Sequence, residues 1–445
     1  MLSINPKYLT FILAFLLVIC YSVLGYFFER QQFGILFLLY ATAFVSTYYL
    51  IKTNGISSVY YFKIGLFFRI ILLFSTPFLS QDFYRFIWDG RLIATGINPY
   101  GFLPNQIINS IATFPQAGIL YEKMGSLSAS HFSNYPPFNQ FIFALAGVLT
   151  GKSILGSILV FRIVIILADI GIYYFGRKLL LALNQNPNKM FWYFLNPLVL
   201  IELTGNLHFE GVMLFFFVGS MYLLHQGKWK WAALVLGLSI STKLLPLLFL
   251  PLFFQKFGFK KSIVFYGIVI GINLIFFLPF LSPELIHNYS ETIGLWFTNF
   301  EFNASIYYVI REIGFWITGY NVIHTTGKII PILMILYLIY NAFFGKCKST
   351  SDLLQNILIV LSVYFFTSTT VHPWYIINLV VIGVFTKFKF PIVWSFLIIL
   401  SYFAYSNPEF KESIFLLIVE YSVVYGIFFY EITKKSNSNI LTNPL

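Results

Sequence analysis

The chain has 445 residues, of which 58% are hydrophobic, 21% aromatic and only 10% charged. Apolar runs of about 20 residues, enough to cross roughly 30 Å of hydrocarbon as helices, recur along it. The formal net charge of +12 comes largely from lysines in short loops between these runs. Membrane topology explains that pattern better than nucleic-acid binding does, so we expect no nucleic acid as a partner. We therefore expect a single integral-membrane domain over residues 1–445.

The apolar runs predict an all-α, polytopic membrane protein. Long runs begin near Tyr8, Gly34, Phe62, Gly156, Phe209, Ser262, Gly327, Leu353 and Ser413, and shorter ones near Met190, Trp231, Pro373 and Pro391. Lysine-bearing loops alternate with acid-bearing loops, which predicts about 14 membrane segments (about 12–14) with both termini cytoplasmic. The polar residues 436–445 are expected to form a disordered cytoplasmic tail.

Two segments must depart from simple spans for this alternation to hold. Residues 136–150 must lie along the outer surface as an interfacial helix, so that residues 81–150 form an extracytoplasmic loop. Residues 231–254 must cross twice, with a break near Lys243 to Pro246, because proline interrupts helical hydrogen bonding. Several acids and His372 then fall on the outer side.

Residues 81–100, QDFYRFIWDGRLIATGINPY, carry the densest charge beside the bilayer, and charge in that position indicates a functional site. As a helix, the segment places Asp82, Arg85 and Asp89 on one face at i, i+3 and i+7. This face could line a shared cavity. The flanking positions add three candidates, Tyr84, Trp88 and Arg91. The alternative is an interfacial helix whose charges pair with one another.

Residues 196–210, NPLVLIELTGNLHFE, form a second polar cluster in apolar surroundings. Gly205 is expected to break the helix at the outer surface, and polar groups at a broken span normally line a water-filled cavity. The break would present Asn206, His208 and Glu210. The alternative is a hairpin with solvated polar tips.

Lys243 interrupts the apolar run from 231 to 254, in the sequence STKLLPLLFLPLFF. An ammonium group in hydrocarbon is costly, so this lysine must either snorkel to the interface or meet an anion. Only the second possibility would place it in a site.

The segment VHPWY, residues 371–375, brings together the imidazole of His372, the indole of Trp374 and the phenol of Tyr375. Aromatic planes suit the faces of sugars, and an imidazole can donate to a phosphate oxygen. Tryptophan and tyrosine also populate interfacial belts, so His372 carries most of this signal.

Three charges, Arg69, Arg162 and Asp169, fall within predicted spans. Arg162 and Asp169 are spaced so that they could satisfy each other inside the bundle. Charges at membrane depth are also typical of transporters, so these residues keep a transporter or flippase of lipid-linked sugars as an alternative function.

The sequence gives little sign of nucleotide binding, metal coordination or a disulfide. No GxxxxGK[ST] loop for nucleotide phosphates occurs, and no Cys/His spacing typical of a metal site is present. Cys20 and Cys347 lie in a span and a loop, so no disulfide is expected. The outer acids could still bind a divalent metal, which leaves metal dependence open on the residues alone.

Five segments in order resemble the integral-membrane glycosyltransferases of the GT-C fold, particularly the polyprenyl-phosphate-mannose-dependent mannosyltransferases. They are QDFYRFIWDG with GINPY, YPPFNQ, NPLVLIELTGNLHFE, STKLLPLLFLPL and VHPWY, and they cover most of residues 75–385. The resemblance implies an extracytoplasmic active site, interfacial helices in the first large outer loop and metal-independent transfer without a cofactor.

Carried over to this sequence, the family's catalytic base matches Asp82, with Asp89 as the second acid, and the choice between them stays open. The base would activate an acceptor hydroxyl that attacks the anomeric carbon with inversion. The candidates for contacts to the donor phosphate are Arg85, Arg91, Lys243 and His372, with Arg85 able instead to orient Asp82. The candidates for other substrate contacts are Tyr84, Trp88, Asn206, His208, Glu210, Trp374 and Tyr375.

The resemblance therefore implies a hexosyltransferase in a bacterial-type inner membrane. Its donor would be a polyprenyl-phosphate hexose, mannose above all, and its acceptor a glycan or glycolipid, with membrane lipid around it. A third possibility is an enzyme like an O-antigen ligase or polymerase, which uses diphosphate-linked donors.

Overall fold

The computed structural model describes residues 5–53, 56–110 and 114–440, with side chains through residue 434. In this part the chain is helical throughout, and the one extended pairing is an isolated bridge between Phe302 and Thr370. The all-α class predicted from the sequence is therefore confirmed. The last helix runs to Ile440, into the segment predicted to be a disordered tail, and residues 441–445 lie outside the described part.

The first third of the chain forms helices α1 to α7. They span Pro6–Tyr26, Phe33–Lys52, Ser58–Ile71, Asp82–Ala94, Pro104–Ile107, Ala117–Ala129 and Pro137–Thr150. Local capping defines several starts: the Asn5 side chain accepts from the main-chain N–H of Lys7, and Ser57 does the same for Tyr60. Helices α4 to α7 occupy residues 82–150, the predicted outer loop, and α4 packs mainly against α7 and α6.

The middle third contains α8 to α13, at Ile154–Ala182, Phe191–Phe194, Pro197–Val199, Glu210–His225, Trp229–Thr242 and Phe254–Phe277. A single π-helical turn, Leu200–Gly205, follows α10, and a 3-10 helix, Leu245–Phe253, follows α12. The segments Pro197–Gly205 and Glu210–His225 meet at 116°. The break expected near Lys243 is present, because α12 ends at Thr242 and Lys243 is extended.

The last third contains α14 to α20, at Leu285–Thr298, Ile306–Thr318, Ile323–Phe344, Thr350–Thr367, Pro373–Val384, Phe390–Leu397 and Ile414–Ile440. A 3-10 helix, Ile398–Ser406, extends α19. The bridge between Phe302 and Thr370 joins the segments that precede α15 and α18.

Seven helical segments of the described chain are long and apolar enough to cross a membrane, or eight if the bent pair is one span. They are Pro6–Tyr26, Phe33–Lys52, Ile154–Ala182, Leu245–Phe280, Ile323–Phe344, Thr350–Thr367 and Ile414–Lys434. A polytopic membrane protein is supported, whereas fourteen segments are not confirmed. The difference arises because several apolar runs form helices that are shorter than a membrane span. Helix α3, for example, has 14 residues, or about 21 Å.

Helices α4 and α7 cross in unusually close contact, which positions the acidic helix. A β-carbon added at Gly90 would lie 2.0 Å from the carbonyl oxygen of Phe143, and one at Gly147 would lie 2.3 Å from the carbonyl oxygen of Gly90. Real atoms cannot approach so closely, so the two backbones touch only because both positions are glycine.

We expect Gly90→Ala to destabilise the protein by roughly 1–3 kcal/mol or more, because the added methyl group would push α4 away from α7. Thermal unfolding of the detergent-solubilised protein measures this effect. Gly118→Ala is the matched control, since a β-carbon at Gly118 in α6 meets nothing within 4 Å. Equal unfolding temperatures for the two variants would contradict the close crossing.

Candidate active site

Asp89 lies in a closed hydrogen-bonding cluster inside the protein. Its carboxylate accepts from Arg85 Nε at 2.7 Å, from Ser133 Oγ at 2.5 Å and from Gln140 Nε2 at 3.1 Å. Arg85 also donates to the carbonyl oxygens of Ser128 and His131 at 2.6 and 2.9 Å. Arg85 therefore pairs with Asp89 rather than with Asp82, and the pair joins α4 to the segment before α7.

Arg91 and Trp88 are also engaged in packing. Arg91 donates to the carbonyl oxygen of Pro115 and to Gln116 Oε1, and it is almost fully buried. Trp88 is fully buried, with its ring edge-on to Phe114 at 5.0 Å. Both side chains hold the segment before α6 against α4.

Asp82 differs from Asp89 in its accessibility and its partners. It is partly exposed at the first turn of α4, and no ion pair forms on it within the described part of the chain. Burial raises the pKa of Asp82, and the charges of Lys243 and Arg30, with a hydrogen bond to Ser80, partly offset that effect. Neighbouring Tyr84 is also partly exposed, with its ring against Phe83.

The bend between residues 205 and 210 is held by buried polar groups. Glu202 accepts from Tyr402 Oη at 2.7 Å and from Asn206 Nδ2 at 3.4 Å, and it lies 3.5 Å from His208 Nε2. Asn206 Oδ1 accepts the main-chain N–H groups of Phe78 and Leu79 at 3.1 and 2.9 Å. Asn206 therefore fixes the chain that leads into Asp82 and does not project into open space.

Lys243 forms an ion pair with Glu210, the first residue of α11. Its side chain is 22% exposed, whereas that of Glu210 is 2% exposed. Of the two possibilities open from the sequence, the lysine meets an anion. The pair connects the end of α12 to the bend and leaves the lysine side chain partly accessible.

Four rings form a continuous stack beside these charges. The His208 and Trp374 ring centroids lie 3.8 Å apart, those of Trp374 and His372 4.4 Å, and those of His372 and Phe302 5.0 Å. Two hydrogen bonds hold Phe302 in line, from its N–H to Thr369 O and from the Val371 N–H to its carbonyl oxygen. His372 Nδ1 has no hydrogen-bond partner within the described chain.

The ionisation of His372 follows from this packing. Burial lowers its pKa to about 3, and the positive charges of Lys243 and Arg30 act in the same direction. His372 is therefore neutral near pH 7 and can offer a hydrogen bond but no charge. Tyr375 lies beside it, with ring centroids 5.4 Å apart.

Arg30 is part of this cluster although no motif pointed to it. It lies between α1 and α2, is partly exposed, and its Cζ lies 3.4 Å from the centre of the Tyr405 ring. Arg30 and Phe302 come from segments about 50 residues before and 200 residues after the acidic motif, so only the tertiary fold brings them to it.

The charges predicted within spans have structural partners. Asp169 pairs with Arg69 at 2.9 Å, so the expected pairing of Asp169 with Arg162 is wrong. Arg162 instead donates to four main-chain carbonyl oxygens, those of Leu73, Ser75, Thr204 and Gly205. Arg162 thus satisfies carbonyl groups freed at helix breaks, and Asp169 is neutralised by Arg69, so neither arrangement supports the transporter alternative.

Among the described residues, no group of three or more His, Cys, Asp or Glu side chains is arranged to hold a metal ion. The open, partly exposed groups are instead one carboxylate, two cations and an aromatic stack. Such a set can accept a proton, bind an anion and contact a sugar ring.

Comparison with known proteins gives the family. A model described as "Alpha-(1->6)-mannopyranosyltransferase, N-terminal domain" matches residues 29–256, slightly more than half of the chain. The chain belongs to this family. The matched region contains Arg30, Asp82, Glu210 and Lys243, and the resemblance to membrane mannosyltransferases is thereby confirmed.

Two curated relatives agree with this assignment. The chain is 25% identical to alpha-(1->6)-mannopyranosyltransferase B of Corynebacterium glutamicum over 34% of this chain and 24% of that protein. It is 23% identical to alpha-(1->6)-mannopyranosyltransferase A of Mycobacterium tuberculosis over 39% of this chain and 32% of that protein. The chain thus matches about a quarter to a third of the length of these relatives. No solved structure matches it significantly.

The two aspartates should respond differently to the same substitution. Asp89→Asn should lower the yield of folded protein and its unfolding temperature, because an amide would face buried donors and leave Arg85 unpaired, a change that costs about 3–5 kcal/mol. Asp82→Asn should leave both unchanged. Size-exclusion profiles and thermal unfolding compare the variants, and an unaltered Asp89→Asn protein would disprove the structural role of Asp89.

Proposed function

We propose that this protein is an integral-membrane mannosyltransferase that transfers mannose from a polyprenyl-phosphate donor to a glycan or glycolipid acceptor. The observation that carries the proposal is the environment of Asp82, a partly exposed carboxylate with a raised pKa beside two cations. Family membership supports mannose as the sugar, and the names of the relatives suggest an alpha-(1->6) linkage.

In the proposed reaction Asp82 is the general base. It takes the proton of the acceptor hydroxyl as that oxygen forms a bond to the anomeric carbon from the face opposite the phosphate, which inverts the configuration. The bond between that carbon and the phosphate oxygen breaks, and the electron pair leaves with the phosphate. No general acid is required, because a phosphate is a stable leaving group, but positive charge around it is.

The remaining candidate residues either contact the substrates or stabilise the site. We assign Trp374, Tyr375 and Tyr84 to the sugar or acceptor, because these rings are partly exposed. Tyr84 is two residues from Asp82, the charge of Asp82 acts on Tyr375, and Trp374 stacks on His372. His372 offers a neutral hydrogen bond. Glu210 forms an ion pair with Lys243. Asn206 stabilises the bend by its hydrogen bonds, and His208 is part of the ring stack. Arg85, Arg91, Trp88 and Asp89 support α4.

The proposal places the site on the extracytoplasmic side of a bacterial-type plasma membrane, with both termini cytoplasmic. Lysine-rich loops favour the cytoplasmic side. The short helix α7 fits an interfacial position, since Leu145, Val148 and Leu149 expose 47%, 71% and 64% of their surface. The proposal also keeps fourteen membrane segments. For this number the short and broken helices must lie within the membrane beside the seven long ones.

Replacement of the base should slow turnover strongly without unfolding the protein. We expect Asp82→Asn to slow mannose transfer from polyprenyl-phosphate mannose by about 10²–10⁴-fold, the usual contribution of a general base. Product formation in proteoliposomes with a panel of acceptors measures it, and Glu284→Gln, an exposed acid outside the cluster, is the control. Full activity in Asp82→Asn would refute the assignment, and mannose movement without a new glycosidic bond would favour a flippase.

The pH dependence of kcat/KM should reflect the ionisation of Asp82. The base acts only when ionised, so kcat/KM should fall as the pH drops through the raised pKa of Asp82. We expect the acid limb to lie above the ordinary aspartate value of about 3.9. Initial rates between pH 4 and about 9 would locate the limb. A limb at or below the ordinary value would show that the base is another group or that Asp82 is solvated.

A further inference from the structure

The chain has seven arginines, and six of them bond to carboxylate, side-chain amide or main-chain oxygens in the structure. Arg69 bonds to Asp169, Arg85 to Asp89, Arg91 to Gln116, Arg162 to main-chain carbonyls, Arg177 to Asn188 and Arg311 to Glu301. Arg30 differs from these six, because within the described chain its guanidinium bonds to no carboxylate, side-chain amide or main-chain oxygen, its Nε has no partner, and its polar contact is with Tyr405.

Arg30 is nevertheless held in one orientation. Its guanidinium lies over the Tyr405 ring at 3.4 Å, and stacking of this kind leaves the edge of the guanidinium free for in-plane hydrogen bonds. Its charge acts on Asp82, His372 and Glu202, so it faces the cluster around the base. Of these groups, Glu202 already accepts from Tyr402 and Asn206.

The other cation at the site is less available. Lys243 is neutralised by Glu210, and His372 is neutral near pH 7. A donor phosphodiester brings one negative charge, and its phosphate gains a second as the sugar leaves. A planar guanidinium can contact two phosphate oxygens at once, which an ammonium group cannot do with the same geometry.

We infer that Arg30, oriented by Tyr405, binds the phosphate of the polyprenyl-phosphate donor. The inference rests on the proposed function and deepens it, because it assigns the anion subsite to the turn between α1 and α2. The sugar would then extend from this phosphate towards Asp82 and the ring stack, and the polyprenyl chain would leave towards the lipid.

Binding of the unglycosylated lipid tests this subsite apart from catalysis. Full-length protein in phosphatidylcholine nanodiscs is titrated with polyprenyl phosphate, and bound lipid is counted by native mass spectrometry. We expect Arg30→Gln to weaken binding by about tenfold or more. Arg30→Lys should weaken it less, since lysine keeps the positive charge but cannot contact two phosphate oxygens with the planar geometry of a guanidinium. Tyr405→Leu should weaken it moderately. Asp82→Asn should bind at least as tightly as the wild type, because it removes a negative charge beside Arg30.

Arg177→Gln is the matched control. Arg177 is also partly exposed and lies over a tyrosine ring, that of Tyr173 at 5.3 Å, but it bonds to Asn188 away from the acidic cluster. Its variant should bind polyprenyl phosphate normally. In turnover, Arg30→Gln should raise the KM for the donor and move the acid limb to higher pH, because a nearby positive charge that favours ionised Asp82 is lost.

The possible outcomes separate the inference from the proposed function. Equal binding by wild type, Arg30→Gln and Arg30→Lys would overturn the role of Arg30 and leave the mannosyltransferase proposal intact. Competition by equimolar phosphatidylglycerol that disappears in Arg30→Gln would reassign the subsite to a bilayer lipid phosphate and overturn the donor assignment. A wild type that neither binds polyprenyl phosphate nor uses polyprenyl-phosphate mannose would overturn the proposed function itself.

Discussion

The arrangement of the site depends on the satisfaction of main-chain polar groups where helices break. Hydrocarbon offers no hydrogen bonds, so each freed carbonyl or N–H group must find a partner within the protein. Arg162 supplies donors to four carbonyl oxygens at the end of α3 and at the bend after α10. Asn206 supplies an acceptor to two N–H groups just before α4. Through these hydrogen bonds Arg162 and Asn206 fix the position of the bend relative to the start of α4.

This constraint explains why so few of the charges remain open. Most of the ionisable groups near the bend hold helices together, as Arg69 does with Asp169 and Arg85 with Asp89. The glycine contact between α4 and α7 adds a rigid crossing one helical turn beyond Arg85. Asp82 and Arg30 differ because they lie at the start of α4 and in the turn between α1 and α2, next to this rigid frame, where both are partly exposed.

Sequence patterns predicted the features that depend on neighbouring residues. Apolar length predicted the helical class, Gly205 and Pro246 predicted breaks, and the cost of an isolated ammonium predicted an anion for Lys243. Helical periodicity placed Asp82 and Asp89 on one face, but they lie about 10 Å apart along the axis. Their different environments come from Ser133, Gln140 and Lys243, which sequence spacing cannot relate to α4.

The same limit explains what the sequence analysis missed. Arg30 is a single charge in a short turn, and Phe302 is one phenylalanine among 54. Neither has a local pattern, because each acquires its role through a contact with a distant segment, Tyr405 for the first and His372 for the second. The predicted count of about 14 membrane segments is not confirmed for a related reason, since hydropathy does not distinguish a continuous span from two short helices joined at a proline.

Charge conservation connects these assignments under the proposed mechanism. Before the donor binds, Asp82 balances Arg30, Glu210 balances Lys243, and His372 is neutral. The donor phosphodiester adds one negative charge. During transfer the acceptor proton neutralises Asp82 while the departing phosphate gains a second charge, so the total stays constant and negative charge moves from the carboxylate to the phosphate. A fixed guanidinium at the phosphate stabilises the products of this shift more than the reactants, which is the condition for it to lower the barrier.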